Sequence, residues 1–290
     1  MAARVTWRAE PGDPSDSTDP AGGAGGSAEE FAAAAAYRWE RGSGGRSPVL
    51  MLHGLGGDAG QLWPVAGTDG RADRLAPDLR GHGCTGLVGD PADLTFPGMA
   101  ADVAALLRRL HFGPAAVVGV SMGAGVAAAL ALREPAVVRS LLLIRPAWGE
   151  TVPPPNLRPL LAVADCLRRY GAAGRGRFAR TGTYTEVAAR SPTAAASLLA
   201  QFDAADAARR SVRLARMPWS APFRSYRELA GVTVPTLVVG APRDPLHPLA
   251  LAEQWAAAVP GAVLRTVPAR DDDPIGHRAR LAELAADFGS

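Results

Sequence analysis

One pentapeptide constrains this chain more than any other feature. Gly119-Val120-Ser121-Met122-Gly123 stands between an apolar run and an alanine-rich run. Ala115 to Val118 reads as a buried strand, and Gly123 to Leu132 reads as a helix. A serine between them, flanked by glycines at two-residue spacing, has to occupy a very tight strand-to-helix turn. A Cβ at either flanking position would clash there, and glycine removes that strain. The turn lifts the Ser121 hydroxyl out of the sheet edge and aims the positive end of the following helix at it.

The remaining segments fall into an alternating order. Pro48 to Leu52 reads as a strand running into His53-Gly54-Leu55-Gly56-Gly57, and Met99 to Leu110 as an amphipathic helix. Arg139 to Arg145 contains the next strand, Thr236 to Gly240 another, and Ala262 to Val267 the last, with Gly276-His277 opening a C-terminal helix. Upstream, Val5 to Ala9 and Ala34 to Glu40 read as two antiparallel strands joined by a long Gly, Pro, Ser and Asp-rich connection, Pro11 to Ser27. Alternation of strand and helix from Pro48 onward implies an α/β fold, a mostly parallel central sheet with helices on both faces. The stretch 148–227 breaks that alternation. After Pro153-Pro154-Pro155 its pattern is helical, with short helices expected at Leu157 to Tyr170, Tyr184 to Ala189, Pro192 to Ala205 and Ala207 to Leu214. The expected organisation is therefore an N-terminal part (1–47), a core built from 48–147 and 228–290, and a helical insertion (148–227).

These segments, from about Val49 to Phe288, resemble the α/β-hydrolase family. The serine pentapeptide in its strand–helix context is similar to that family's nucleophile elbow. The resemblance implies Ser121 as nucleophile, His277 as base and Asp244 as acid, in the family's chain order. It also implies a helical cap, or lid, in the 148–227 insertion, which closes over the serine and selects the substrate. A serine hydroxyl attacks only when a base takes its proton, and imidazole titrates near working pH. A carboxylate behind the ring holds its tautomer and stabilises the imidazolium. The oxyanion of the tetrahedral intermediate needs fixed N–H donors: the backbone N–H of Met122, at the start of the elbow helix, and by resemblance that of Leu55. The expected activity is hydrolysis of a carboxylic ester or lactone through an acyl-enzyme. The same triad serves an acyltransferase, a thioesterase or a C–C bond hydrolase, and a ligand-binding homologue without turnover is the alternative of another class. No cofactor and no metal are implied; the partner is a small-molecule acyl substrate, and the oligomeric state is left open.

Other residues compete for these roles. The chain has five histidines. His53 heads the glycine-rich turn and reads as structural or pocket-lining. His82, in Asp78-Leu79-Arg80-Gly81-His82-Gly83, belongs to a loop tied down by its Asp and Arg, and His111 reads as a helix C-cap. His247 follows Asp244 by three residues, too near in sequence to be its expected partner. Asp271-Asp272-Asp273 reads as a solvated loop capping the final helix, with a divalent-cation site as the sharper alternative. Arg145, Trp148 and Trp219 join His53 as candidate pocket residues, Arg145 either holding a substrate anion or pairing with an acid that pins the lid. Phe223 and Tyr226 are placed with Trp219 at the exit of the insertion.

Composition narrows the remaining classes. The formal net charge is +3, and all 31 basic residues are arginine. Without a concentrated basic stripe, nucleic-acid binding is not indicated. Pro114 to Leu132 carries no charge, but it splits into strand plus helix and reads as core rather than membrane span. Met1 to Asp19 lacks an apolar core, so a soluble cytoplasmic protein is expected. Cys84 and Cys166 make no disulfide framework, and Cys84 reads as a small buried residue near the pocket rim.

Overall fold

The computed structural model describes residues 5–7, 28–65, 70–86, 89–204 and 206–288. Among these residues eight strands make one sheet: β1 (Val5–Trp7), β2 (Tyr37–Glu40), β3 (Val49–Leu52), β4 (Arg74–Pro77), β5 (Ala115–Val120), β6 (Val138–Ile144), β7 (Thr236–Gly240) and β8 (Val263–Thr266). Their spatial order is β1-β2-β4-β3-β5-β6-β7-β8. β1 and β2 pair antiparallel, as do β2 and β4, and every later pairing is parallel. The expected α/β architecture is therefore present. Leu52 stands opposite Gly119, Val120 opposite Ile144, and Ile144 opposite Val239. That register brings the carboxyl ends of β3, β5, β6 and β7 to one edge, where open α/β sheets place their ligands.

Side-chain alternation splits the central strands between two apolar layers. Leu50, Leu52, Val117, Leu141, Leu143 and Val238 face one layer, with α2 (Phe96–Leu110) and α3 (Met122–Arg133). Val49, Met51, Val118, Leu142, Ile144 and Val239 face the other, with Leu281, Leu284 and Ala285 of α10 (Pro274–Phe288). Both faces are buried, which is why these strands read as unbroken apolar runs. Thr95 starts α2 by accepting a hydrogen bond from the Gly98 N–H, and His111 ends it in a left-handed conformation, φ 50°. The C-cap expected at His111 is thus observed. α3 is rich in Ala and Gly, and its Gly123 lies directly against the Leu52 carbonyl at the end of β3.

The insertion between β6 and β7 is helical, as expected, with five α-helices among the described residues: α4 (Arg158–Tyr170), α5 (Arg175–Phe178), α6 (Gly182–Arg190), α7 (Pro192–Leu199) and α8 (Ala207–Arg216). Leu160, Val163, Leu167, Phe178, Leu198, Phe202 and Leu214 bring it into the same apolar layer as α2 and α3. Polar ties add to this. Asn156 donates to the carbonyls of Ala147 and Leu246, Arg213 to that of Gly81 (2.9 Å), and Arg210 to that of Gly83 (2.6 Å).

One expectation changes. Ala28–Ala34 is a helix, α1, so the strand expected from Ala34 is confined to β2. Alanine has the highest helix propensity, and Phe31 anchors the helix in a small apolar cluster with Leu106 of α2. The Pro11 to Ser27 connection lies outside the described residues. β4 and α9 (Leu249–Ala258) complete the alternation. Pro114 to Leu132 resolves into β5 and α3, and among the described residues no helix is long and apolar enough to cross a membrane.

Candidate active site

Ser121 sits between β5 and α3 at φ 55°, ψ −112°, a backbone conformation that side chains rarely adopt. Such a residue costs of order 1–3 kcal/mol and persists only where its surroundings over-determine it. Here the surroundings do. A Cβ on Gly123 would overlap the Leu52 carbonyl oxygen, and one on Gly119 would overlap the Gly123 carbonyl. The Ser121 N–H also bonds the Ile144 carbonyl at 2.9 Å, fixing the turn to the neighbouring strand.

The ring beside Ser121 is His247. Its Nε2 lies 2.9 Å from the Ser121 hydroxyl oxygen, and its Nδ1 lies 2.9 Å from Oδ2 of Asp244. The i,i+3 spacing is compatible with this because Asp244 first folds its own loop. Its Oδ1 accepts the N–H groups of Leu246 (3.0 Å) and His247 (3.1 Å), a local turn that swings the ring back over Oδ2. The carboxylate cannot donate, so Nδ1 carries the proton and Nε2 is left to accept from the hydroxyl.

This corrects the expected base. His277, in the first turn of α10, donates from Nδ1 to the Pro268 carbonyl at 2.7 Å and makes no hydrogen bond to Ser121 or Asp244. The residue expected at the pocket floor after β8 is instead a buried brace for its own loop. Ser121 and Asp244 meet as expected, through a different histidine.

The electrostatics suit a neutral ring held against a charged carboxylate. Burial works against ionisation of Asp244, but His247, Arg145 and the Leu246 N–H outweigh it and hold the carboxyl far below the usual carboxylate range. Burial lowers the His247 pKa below its ordinary 6.5; Asp244 raises it, and Arg145 and Arg270 lower it further. Arg145 pairs with Asp244 at 3.0 Å, both side chains being about nine-tenths buried. It lines the cleft, but its charge is already committed.

The cleft over Ser121 encloses about 740 Å³, part of it open solvent, and is lined by Gly54, Leu55, Gly56, Leu157, Leu160, Gln201, Leu246 and Arg270 among others. Leu55 is therefore at the site, and Met122 begins α3, where a first-turn N–H has no intrahelical acceptor. Gly54 N–H to Gln61 Oε1 (2.6 Å) and Gly57 N–H to the Gly54 carbonyl (2.9 Å) shape the turn that presents Leu55.

The other pocket candidates lie elsewhere. His53 is buried, its Nδ1 donating to the Gly54 carbonyl and its Nε2 accepting from Leu79 N–H, so it is structural. Trp148 is buried against Phe96, ring centroids 4.9 Å apart, outside the cleft lining. Trp219 is 62% exposed and also outside it, while Phe223 packs on Tyr226 and Trp255. Asp78 ties Ala59 and Cys84, and Arg80 pairs with Asp102, as expected of the His82 loop. Cys84 itself is exposed rather than buried. The three consecutive aspartates are each engaged by protein: Asp271 accepts from Ser191 Oγ and Thr193 N–H, Asp272 pairs with Arg243, and Asp273 accepts from Gly276 N–H at the start of α10. His247 was set aside in the sequence as too near Asp244, and Arg270 and Asn156 were not singled out there. An aspartate three residues before a histidine, just past a strand end, was the available signal for the first.

Residues 47–277 match the model of the alpha/beta hydrolase fold family. An sn-1-specific diacylglycerol lipase of Xenopus tropicalis is 33% identical over 144 residues, 48% of this chain and 44% of that protein. The chain thus spans less than half the length of the first curated relatives it matches. A poly(3-hydroxyalkanoate) depolymerase of Ectopseudomonas oleovorans is 27% identical, the match covering 76% of each chain. Among solved structures, the enol-lactonase of Burkholderia xenovorans LB400 superposes with a TM-score of 0.66 at 21% identity, covering 88% of this chain and 96% of that one. An esterase of Thermogutta terrifontis gives 0.63 at 22% identity, with 88% and 95% covered. Those structural likenesses speak for the fold.

Proposed function

The chain belongs to the alpha/beta hydrolase fold family, and from that premise we propose that it is a serine hydrolase cleaving a carboxylic ester or lactone of a small molecule, with Ser121, His247 and Asp244 as its triad. The observation that carries this reading is the unbroken hydrogen-bond line from the Ser121 hydroxyl through both nitrogens of His247 to Asp244. A lipase, a depolymerase, an esterase and a lactonase among the similar proteins support ester chemistry.

In this reading His247 Nε2 takes the Ser121 proton as its oxygen attacks the acyl carbon. Asp244, kept ionised, stabilises the imidazolium so formed. The backbone N–H groups of Met122 and Leu55 receive the oxyanion. Collapse expels the alcohol, which takes the proton from His247 and leaves the acyl group on Ser121. Water, deprotonated by His247, then releases the acid. The burial that lowers the His247 pKa keeps the ring neutral, hence able to accept the proton, somewhat below pH 6.5 as well as at pH 7. The helical insertion acts as a lid, supplying Leu157, Leu160 and Gln201 to the cleft and excluding water.

A fluorophosphonate label followed by turnover of p-nitrophenyl esters, lactones and thioesters tests the reading. Labelling of the wild type at Ser121, lost in Ser121→Ala and strongly slowed in His247→Ala, is the expected outcome. Labelling that survives His247→Ala but vanishes in His277→Ala would return the base to His277. Transfer to an added alcohol in preference to water would make the enzyme an acyltransferase on the same triad.

A further inference from the structure

The loop after β8 places Arg270 in the wall of the cleft with Ser121 and His247. Among the described residues its guanidinium has no ion pair and no hydrogen bond. The acids around it are taken: Asp244 by Arg145 and His247, Asp271 by Ser191 and Thr193, Asp272 by Arg243. Its positive charge bears on His247 and Arg145. Asp271 acts on Arg270 through space without pairing with it, and a half-buried guanidinium with no contact ion pair beside a reacting serine is stabilised by a bound anion.

One further observation points the same way. The insertion over the cleft holds thirteen arginines and five acidic residues between Trp148 and Arg227, in a chain whose net charge is only +3. That asymmetry gives the insertion that lines the cleft an excess of positive charge, which raises the local concentration of anions near it.

We infer that the cleft takes an ester whose acid or alcohol part carries a carboxylate, and that Arg270 holds that carboxylate. The inference rests on Ser121 being the acyl acceptor only for its catalytic consequence, not for binding. Arg145 does not compete for the role, because its charge is matched by Asp244.

The test compares mono-p-nitrophenyl adipate with its neutral methyl ester in the wild type, Arg270→Gln and Arg270→Lys. The wild type should favour the carboxylate ester, and added salt should erode that preference. Arg270→Gln should lower the carboxylate-to-neutral ratio of kcat/KM by about tenfold to a hundredfold, mainly through KM, because it removes a charge-assisted contact. Arg270→Lys should recover part of the ratio, since it keeps the charge without the fork. An unchanged ratio in Arg270→Gln overturns the inference. Calorimetric binding of adipate to Ser121→Ala and to Ser121→Ala/Arg270→Gln separates the two readings. If no ester is turned over but adipate binds in an Arg270-dependent way, the catalytic reading fails and this one stands. If esters are hydrolysed while neither the ratio nor adipate binding responds to Arg270, this one falls alone.

Discussion

The loops that follow β7 and β8 leave the same edge of the sheet, yet they are organised in different ways. The first is closed on itself: one carboxylate, Asp244, holds two N–H groups of its own loop, Arg145 of β6's exit, and the ring of His247. The second braces itself through His277 on Pro268 and Asp273 on Gly276, and also reaches outward, with Asp271 on α7 and Asp272 on Arg243 of the first loop. The contrast teaches that hydrogen bonding inside a loop, rather than its place in the chain, selects which ring meets the serine. The chain order Ser, Asp, His survives with either histidine.

The sharpest way to break this comparison is to delete each ring. His247→Ala should lower kcat on an activated ester by up to about 10⁶-fold, the scale set by a well-studied serine hydrolase, while His277→Ala should cost less than about tenfold. Steady-state kinetics on the two variants decide it, and a reversed ranking would transfer the role to the β8 loop.

Asp244→Asn comes next. It keeps the shape but offers the wrong tautomer to His247, with an expected loss of about 10⁴ in kcat. It also leaves Arg145 uncompensated in a buried site. Removing one partner of such a pair costs about 3–5 kcal/mol, so the melting temperature should fall as well.

A pH profile tests the electrostatic half of the contrast. Burial lowers the His247 pKa below 6.5, so kcat/KM should hold through that pH on acidification and decline only at the lower folded pKa. Arg270→Gln removes a positive charge near the ring, so that decline should begin at a higher pH. Stability has the same sign. His53, His82 and His247 all bind protons more weakly folded than unfolded, chiefly through burial. The unfolded chain therefore takes up protons first, and stability should fall as pH drops below about 6.5 toward the folded values. Urea melts at several pH values read this directly.

The smallest effect belongs to the outward-reaching loop. Asp271→Ala removes a cap from α7 and should cost about 1 kcal/mol, lowering the melting temperature by about 2–4 °C. A calorimetric scan measures it, and no shift would mean that the loop does not support the insertion.

Most of the layered fold was legible because strands buried on both faces read as apolar runs, and because Gly119 and Gly123 mark a turn that few other sequences permit. The insertion was legible as helical from its pattern, although α5 was not anticipated. The helix Ala28–Ala34 was not anticipated because alanines near a strand carry no period of their own, and the contact that decides for helix, Phe31 on Leu106, is remote in sequence. The site was half legible. Ser121 and Asp244 follow from strand ends, but the choice of histidine depends on an Asx-type turn whose two N–H bonds exist only in the folded loop. Trp219 and Cys84 turned outward, since neither residue type reports its own burial.

The contact between Gly123 and the Leu52 carbonyl has a consequence beyond the turn itself. It presses the first coil of α3 directly onto the end of β3, from which the Leu55 turn departs. The span between the Met122 and Leu55 amides, proposed above as the oxyanion donors, is thereby set by main chain against main chain. Even Gly123→Ala should spread that span and slow acylation, whereas drift of neighbouring side chains leaves the gauge intact.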